Sequence, residues 1–306
     1  MEEIPTLNSQ EVLIGLSKQA QNKEYRFHRI YRNLCIPDMY IKAYSNIYSN
    51  KGSSTPGIDI ETADGFSEVK VESIIHSLKD ESYQANPVRR TYILKKNGKM
   101  RPLGIPSFTD RLIQEVCRMI LEAIYEPMFS SFSHGFRPER SCHTALHNVK
   151  ANFTSVNWFI EGDIKGCFDN IDHHILIDIL RRKIADERFI KLTWKFLKAG
   201  YIENWQYQKT FSGTPQGGIV SPILANVYLN ELDAYILNEV KHRFTMHNQG
   251  TVKENVVKNP THKNLTAKIH RLRKKIDHCQ DDITRNILIA ENKRLRETLI
   301  NPALHT

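Results

Sequence analysis

The amino-acid sequence predicts an α+β fold, because helical and strand patterns follow one another in mixed order and not in the regular alternation of a parallel α/β sheet. The clearest helical pattern runs from residue 109 to residue 127, where apolar residues recur three and four positions apart. The clearest strand pattern is a β-hairpin. Residues 91–94 and 100–105 flank the Asn97-Gly98 pair, which supplies the positive φ angles of a tight turn.

The other elements follow from the same patterns. Pro37 opens the third N-terminal helix, since proline is tolerated in a first helical turn. Thr109 is the expected N-cap of the long helix. Before the hairpin, the patterns predict three short helices in residues 9–48, a loop at 51–59 and a helix over 71–78. After the hairpin and the long helix, they predict a loop at 133–138 and a second helix that leads to a strand ending at Ile160. Helices from 172 to about 197 and over 221–229 follow.

The last part of the chain has a different pattern. Residues 249–261 are polar and predict a flexible linker. From Leu265 to Ile283 apolar residues recur in steps of four and three, which is typical of a packed helix or a short coiled coil. Such a pattern is compatible with a homodimer. Basic residues crowd the other faces, and they suit either RNA contact or a solvated helix face.

The charge and the cysteine content limit the classes of protein to which this sequence can belong. The 306 residues carry 43 Lys and Arg against 34 Asp and Glu, a formal charge of +9 that favours a nucleic-acid partner over a membrane surface. Five scattered cysteines without a CxxC pair argue against a disulfide framework and a zinc finger. The acidic N-terminus lacks a signal-peptide core and no apolar run reaches membrane-spanning length, so a soluble intracellular protein is expected.

Two carboxylates follow the apolar run at 158–160, which predicts the end of a short buried strand. Asp163 lies where this strand should end, and Asp169 follows a Lys-Gly break. A charge at a buried strand end is costly unless a cation or hydrogen bonds satisfy it. Mg²⁺ would satisfy it, because this ion takes few protein carboxylates and completes its shell with phosphates and water. The alternative is that Asp163 caps the helix that begins near Asp172.

Four blocks in order resemble the group II intron-encoded reverse transcriptase/maturase family. They are Arg-Pro-Leu-Gly-Ile-Pro at 101–106, His-Gly-Phe-Arg-Pro at 134–138, Asp-Ile-Lys-x-x-Phe-Asp at 163–169 and Thr-Pro-Gln-Gly-Gly at 214–218. The resemblance covers roughly residues 44–233. It implies a right-hand polymerase with helix-rich fingers that carry the β-hairpin and a palm with an antiparallel sheet packed on helices.

The resemblance also implies a division of the chain. Residues 1–115 would form fingers (with N-terminal extension helices over 1–50 and the basic hairpin at 88–106), 116–170 palm, 171–215 fingers again, 216–240 palm, and 241–306 a basic helical insertion. The family's second acidic block, Tyr-Ala-Asp-Asp, does not occur in this sequence; the one Asp-Asp pair, Asp281-Asp282, lies in a helical pattern. The sequence is therefore expected to be the N-terminal part of a longer protein, without thumb and maturase domain and inactive by itself.

Residue roles follow from the resemblance. Asp163 and the backbone carbonyl of Ile164 would bind the two Mg²⁺ ions, whereas Asp169 is expected to be structural. The nucleotide-binding residues would be Lys95, Arg101, Phe168 (a gate that excludes a 2′-hydroxyl), Gln216 and Gly217. The RNA-binding residues would be Lys96, Lys99, Arg137, Lys268, Arg271 and Lys275. Each role has a simpler alternative: solvated charges on a hairpin, a core aromatic or an ordinary turn.

The resemblance implies an RNA-directed DNA polymerase that uses dNTPs with an RNA template and DNA primer, and that binds its group II intron RNA for splicing and mobility. It would work in the bacterial cytoplasm or an organellar matrix. Two alternatives stay open: a non-catalytic RNA-binding splicing factor on the same scaffold, and a reverse transcriptase of another mobile element. His143 and His147 are four residues apart like zinc ligands, but a fourth ligand is missing, which disfavours a zinc site.

Overall fold

The computed structural model describes residues 8–50, 52–94, 98–153, 159–210, 212–213, 217–243, 260–279 and 281–299. The α+β class is confirmed. The chain divides into two compact units, residues 1–239 and 240–306. No helix in the described ranges is both long and apolar enough to cross a membrane.

Helices make up most of the first unit. Its described α-helices are α1 (Ser9–Ala20), α2 (Pro37–Tyr48), α3 (Glu68–Lys79), α4 (Phe108–Tyr125), α5 (Cys142–Asn152), α6 (His173–Lys183), α7 (Glu187–Lys198) and α8 (Ser221–Tyr235). Shorter 3-10 helices lie at Ile30–Cys35, Ala63–Gly65, Glu126–Met128 and Cys167–Asp169, and a π-helical stretch at Ile236–Val240. The predicted helices over 9–48, 71–78, 172–197 and 221–229 are confirmed, the middle one of the N-terminal three being the 3-10 helix.

A small mixed sheet holds the predicted hairpin. Its strands are β1 (Val88–Leu94), β2 (Met100–Ile105), β3 (Tyr201–Glu203) and β4 (Gln206–Gln208), in the order β2-β1-β3-β4. The β1–β2 and β3–β4 pairs are antiparallel, whereas β3 runs parallel to β1. The tip of the first hairpin, 95–97, lies outside the described residues. All described strands belong to this sheet, so a separate palm sheet is not formed within the described ranges.

Helix α4 forms the centre of the core. It is buried on nearly all sides and packs against α1, α2 and α8. Its N-cap is Ser107 and not Thr109: the Ser107 hydroxyl accepts a hydrogen bond from the Asp110 N–H at 3.1 Å. The helix therefore begins directly after β2, with Ser107 and Asp110 in the spacing of a capping box.

The expected strand before the acidic block is not formed by the residues that are described there. Phe159 and Ile160 are irregular and exposed, Ile160 by 94% of its surface. A strand needs a hydrogen-bonded neighbour, and residues 159 and 160 pair with none of β1 to β4. Trp158, the first residue of the apolar run that was predicted to end this strand, lies outside the described ranges.

The second unit is a helical hairpin of α9 (Pro260–His278) and α10 (Asp282–Leu299). Ile269 and Leu272 of the predicted apolar stripe are buried, and Asn292 donates to the Ile269 carbonyl at 3.3 Å. The predicted linker ends earlier than expected, because α9 already begins at Pro260; residues 249–259 lie outside the description. Asp281 caps α10 by accepting from the Thr284 N–H at 2.8 Å, so the Asp281-Asp282 pair begins a helix.

Candidate active site

The loop before the Thr-Pro-Gln-Gly-Gly block packs directly on the acidic block. The Gly213 N–H donates to the Ile171 carbonyl at 2.8 Å, and the Ser212 hydroxyl donates to the Asp169 carbonyl at 3.0 Å. Gly213 has a φ of +83°, and a Cβ there would lie 2.6 Å from the Phe168 carbonyl oxygen. Only glycine allows this approach, so two distant sequence blocks meet through their main chains.

The exit of the same turn packs on the basic hairpin. Gly217 has a φ of +107°, and a Cβ would lie 2.2 Å from the Gly104 carbonyl oxygen and 2.9 Å from Leu103 Cδ1. Two residues later, the Ile219 N–H donates to Gln114 Oε1 of α4 at 2.9 Å. The turn is thus held between β2 and the central helix. Thr214, Pro215 and the predicted nucleotide ligand Gln216 lie outside the described residues.

Arg101 lies on the face of the hairpin that contacts Gly217. In the β1–β2 register Arg101 is opposite Ile93 and Leu103 is opposite Thr91. Side chains alternate along a strand, so Arg101 and Leu103 share one face and are about 6.6 Å apart along it. Arg101 is exposed. Of the predicted nucleotide-binding residues, Gly217 therefore contacts the hairpin at Leu103 and Gly104, and Arg101 lies on the same face of strand β2 as Leu103.

Of the three lysines predicted as ligands on this hairpin, one lies within the described residues. Lys99 is exposed immediately before β2. Lys95 and Lys96, predicted for triphosphate and RNA contact, lie outside the described residues. Their roles stay predictions.

The loop at 134–138 contacts the acidic block through two aromatic rings. Phe136 and Phe168 lie edge to face, with ring centroids 6.1 Å apart and planes at 87°. Asn226 of α8 holds the loop by donating to the Gly135 carbonyl at 2.9 Å. Phe168 is half-buried and packs against the core on one side, which leaves part of its ring accessible. This position suits the predicted gate without testing it.

Arg137 is buried, which differs from the exposure that its predicted RNA contact requires. Only 3% of its side chain is accessible, and Nη2 lies 2.7 Å from Glu126 Oε1. Its Nη1 donates to the Ser130 and Ser133 carbonyls at 2.6 and 2.7 Å. The guanidinium therefore clamps the loop to the end of the α4 region. No local pattern predicts this pairing, because Glu126 lies eleven residues before Arg137.

The predicted metal ligands are accessible to solvent. Asp163 and Ile164 are exposed in the irregular segment before Gly166, and Asp163 has no hydrogen bond or ion pair within the described part of the chain. The alternative role of Asp163 as a helix cap is excluded. Asp172 itself caps α6, accepting from the N–H groups of His174 and Ile175 at 2.8 and 3.0 Å.

The donor set around Asp163 is small. In the described ranges no group of three or more His, Cys, Asp or Glu side chains is arranged to hold a metal ion. Asp169 belongs to the turn itself, with its N–H donating to the Gly166 carbonyl at 3.0 Å. The carboxylate of Asp163 and the carbonyl of Ile164 are hard oxygen donors. They fit Mg²⁺, which needs one or two protein carboxylates when phosphates and water complete its shell.

His173 is a site residue that the sequence did not reveal. It lies in the first turn of α6 and is buried, with Nε2 2.6 Å from the Gly213 carbonyl oxygen. Its ring also lies edge-on to Trp194, with centroids 6.1 Å apart. His173 therefore fixes the loop that leads to Gly217. No pattern in the sequence around His173 predicts a hydrogen bond to a carbonyl forty residues later in the chain.

A buried carboxylate lies next to the hairpin. Asp110, in the first turn of α4, accepts hydrogen bonds from the Tyr83 hydroxyl and from the Asn86 N–H, the latter at 3.1 Å. Burial raises the pKa of Asp110 to about 6, although these hydrogen bonds act in the opposite direction. This group titrates near neutral pH as a consequence.

The RNA-binding residues predicted in the second unit lie on its surface. Lys268, Arg271 and Lys275 are exposed on α9. Lys268 lies 3.4 Å from Glu291 of α10, which offsets part of its charge. Their contact with RNA stays a prediction.

Comparisons with known proteins agree with the sequence blocks. Residues 93–252 match the family model described as reverse transcriptase (RNA-dependent DNA polymerase). The chain is 53% identical over 288 residues to the group II intron-encoded protein LtrA of Lactococcus lactis subsp. cremoris, covering 93% of this chain and 47% of that protein. It is 52% identical over 229 residues to the 91 kDa protein in cob intron of Schizosaccharomyces pombe, covering 74% of this chain and 28% of that protein.

Among solved structures, a partial Cas6-RT-Cas1--Cas2 complex matches with a TM-score of 0.46 at 20% identity, covering 69% of this chain and 35% of that one. The chain spans about half, or less, of the length of the two curated relatives above.

Proposed function

Because the chain belongs to the reverse transcriptase family, we propose that it contributes the fingers and part of the palm of an RNA-directed DNA polymerase of the group II intron-encoded type. The proposed division is fingers at 1–115 and 171–215, palm at 116–170 and 216–240, and an insertion at 241–306. One observation carries the proposal. The hairpin, the aromatic loop, the acidic block and the glycine turn, which are far apart in sequence, contact one another.

The acidic block would hold the metal. Reverse transcriptases use divalent metal ions, and Asp163 with the Ile164 carbonyl would be the ligands that this chain supplies. The metal, when bound, stabilises negative charge on the reacting phosphate and lowers the pKa of the attacking hydroxyl. The exposure of Asp163 supports this role, because a carboxylate already engaged in a buried ion pair would have to break it first.

The hairpin and the turn would hold the incoming dNTP. Arg101 would donate to triphosphate oxygens, since a guanidinium offers two parallel N–H groups to phosphate, and Lys95 would add a second cation. Gly217 would let the nucleotide approach the backbone, with Gln216 beside it. Phe168 would lie under the sugar and exclude a 2′-hydroxyl. The shared face of Arg101 and Leu103 beside Gly217 supports this arrangement.

The partner of the whole protein would be RNA. The +9 charge and the identity to intron-encoded relatives support binding of a group II intron RNA during splicing and mobility, besides an RNA template with a DNA primer.

Single-nucleotide extension of a DNA primer on an RNA template by the full-length protein tests the proposal. Arg101→Ala should raise the KM for dNTP between about tenfold and a hundredfold, the loss expected for charge-assisted hydrogen bonds worth about 1.5–3 kcal/mol. Arg26→Ala is the matched control, because Arg26 is exposed and donates only to the Arg181 carbonyl at 2.9 Å in the described contacts. An equal KM in both variants would remove Arg101 from the nucleotide site.

A further inference from the structure

A groove lies at the edge of the sheet opposite to the strand that carries Arg101. It is bounded by the end of α7 and by β4, and it has a volume of about 510 Å³. This volume is within the roughly 300–1,000 Å³ that is typical of ligand pockets. Strand β4 is separated from β2 by three strand spacings, about 14 Å. The groove is therefore distinct from the candidate active site.

Two aromatic rings line this groove. Tyr207 of β4 is 50% exposed and lies against Gly200, where a Cβ would be 2.6 Å from Tyr207 Cε2. Gly200 has a φ of +75°, so glycine both permits this turn and makes room for the ring. Trp194 of α7 is half-buried, with its ring 5.0 Å from that of His174. The groove thus offers ring surface to a flat ligand.

A third aromatic residue stands beside the groove. Trp205, two residues before Tyr207, is 99% exposed in the β3–β4 turn. Its φ is +63°, a left-handed conformation that a bulky residue adopts at a cost. Neither burial nor backbone preference explains a tryptophan at this position. A stacking partner would.

The charge of the groove is positive. Two lysines line it and none of its lining residues is acidic. Lys198 Nζ lies 4.4 Å above the Trp194 ring and has no carboxylate partner among the described residues. Lys195 donates to the Glu81 and Tyr83 carbonyls, which fixes a second cation in the wall. The two ammonium groups also offset the negative end of α7. An anionic ligand is therefore favoured.

We propose that this groove binds a nucleotide of single-stranded RNA, with the base on Tyr207 and the phosphate at Lys198. Proteins that bind single strands combine basic grooves with aromatic rings on which bases stack. Strand β4 is an edge strand, so a polynucleotide can pass along it from Tyr207 to Trp205. The inference rests on the proposed function for the identity of the ligand as RNA, but it assigns a contact outside the polymerase site.

Binding of a short, unstructured oligouridylate, measured by fluorescence anisotropy with the full-length protein, tests the groove. Tyr207→Leu should weaken binding between about fivefold and a hundredfold, the usual effect of losing one stacked base. Lys198→Glu should also weaken binding, because it replaces the cation at the phosphate by an anion. Tyr207→Phe keeps the ring and should stay within about twofold. Lys18→Glu is the control for charge, because Lys18 is exposed on α1 and does not line the groove.

The outcomes separate this inference from the proposed function. Oligouridylate binding that is equal in Lys198→Glu, Tyr207→Leu and the control would overturn the groove and leave RNA binding by the protein intact. Absence of RNA binding in the unaltered protein would instead overturn the proposed partner. Uridine monophosphate serves as the second probe: binding as tight as that of the oligonucleotide would mean a site for free nucleotides and overturn the RNA assignment. Matching thermal unfolding of each variant confirms that it folds.

Discussion

Replacing Arg137 by lysine should destabilise the protein without weakening its affinity for RNA. Lysine keeps the charge, but one ammonium group cannot replace the guanidinium that binds Glu126 and the carbonyls of Ser130 and Ser133 at the same time. Two hydrogen bonds from a charged donor are lost, each worth about 1.5–3 kcal/mol. Glu126 is 30% exposed and can be rehydrated, so the lower end applies, about 3 kcal/mol in total.

This loss is large beside the total stability of a domain, about 5–15 kcal/mol. At about 2–4 °C per kcal/mol, the Tm should fall by roughly 6–12 °C. Differential scanning calorimetry measures the Tm, and filter binding below the new Tm measures RNA affinity. Arg140→Lys is the matched control, because Arg140 lies two residues beyond the loop and donates to one carbonyl, that of Ser131, at 2.7 Å. A Tm like that of the unaltered protein, together with weaker RNA binding, would refute the clamp and restore Arg137 as an RNA ligand.

Three further predictions concern other side chains. The folded-state pKa of Asp110, about 6, exceeds its unfolded value near 3.9, so the native state binds more protons between these values. The free energy of unfolding should therefore fall by about 2 kcal/mol as pH rises from 4 to 6. Urea titrations of Asp110→Asn should lack this slope, and its persistence would point to another group. Phe168→Val should admit ribonucleotides in single-nucleotide extension by the full-length protein; an unchanged preference for dNTP would make Phe168 a core residue. Asp163→Asn should abolish primer extension and leave RNA affinity unchanged, whereas full activity would remove Asp163 from the metal site.

Local patterns predicted the helices and the hairpin correctly, but they also predicted a strand before the acidic block that the described residues do not form. Helix α4 and the hairpin can each be predicted from one stretch of sequence, the helix from its helical period and the hairpin from its Asn-Gly turn. The run at 159–160 is as apolar as a buried strand, yet it is exposed, because the pattern of one segment cannot supply its hydrogen-bonding neighbour.

The candidate site divides in the same way. Gly217 and Phe168 could be selected from the motifs, and the structure places both against other motif residues. The contacts of His173 and Arg137 with the Gly213 carbonyl and Glu126 could not be predicted from the motifs, because tertiary packing determines these partners. When the partner of a side chain lies on another element, the periodicity of the local sequence does not predict the contact.

The main-chain contacts at Gly213 and Gly217 have a consequence for redesign of this protein. At both positions two backbones are in contact with no side chain between them. The distances between the hairpin, the turn and the acidic block therefore cannot be adjusted by changing a side chain. A library that varies these glycines would mostly sample misassembled sites. Diversity placed at the exposed Arg101 and Phe136 would alter the side chains on the surface of the candidate site, while the spacing of the backbones beneath it stays constant.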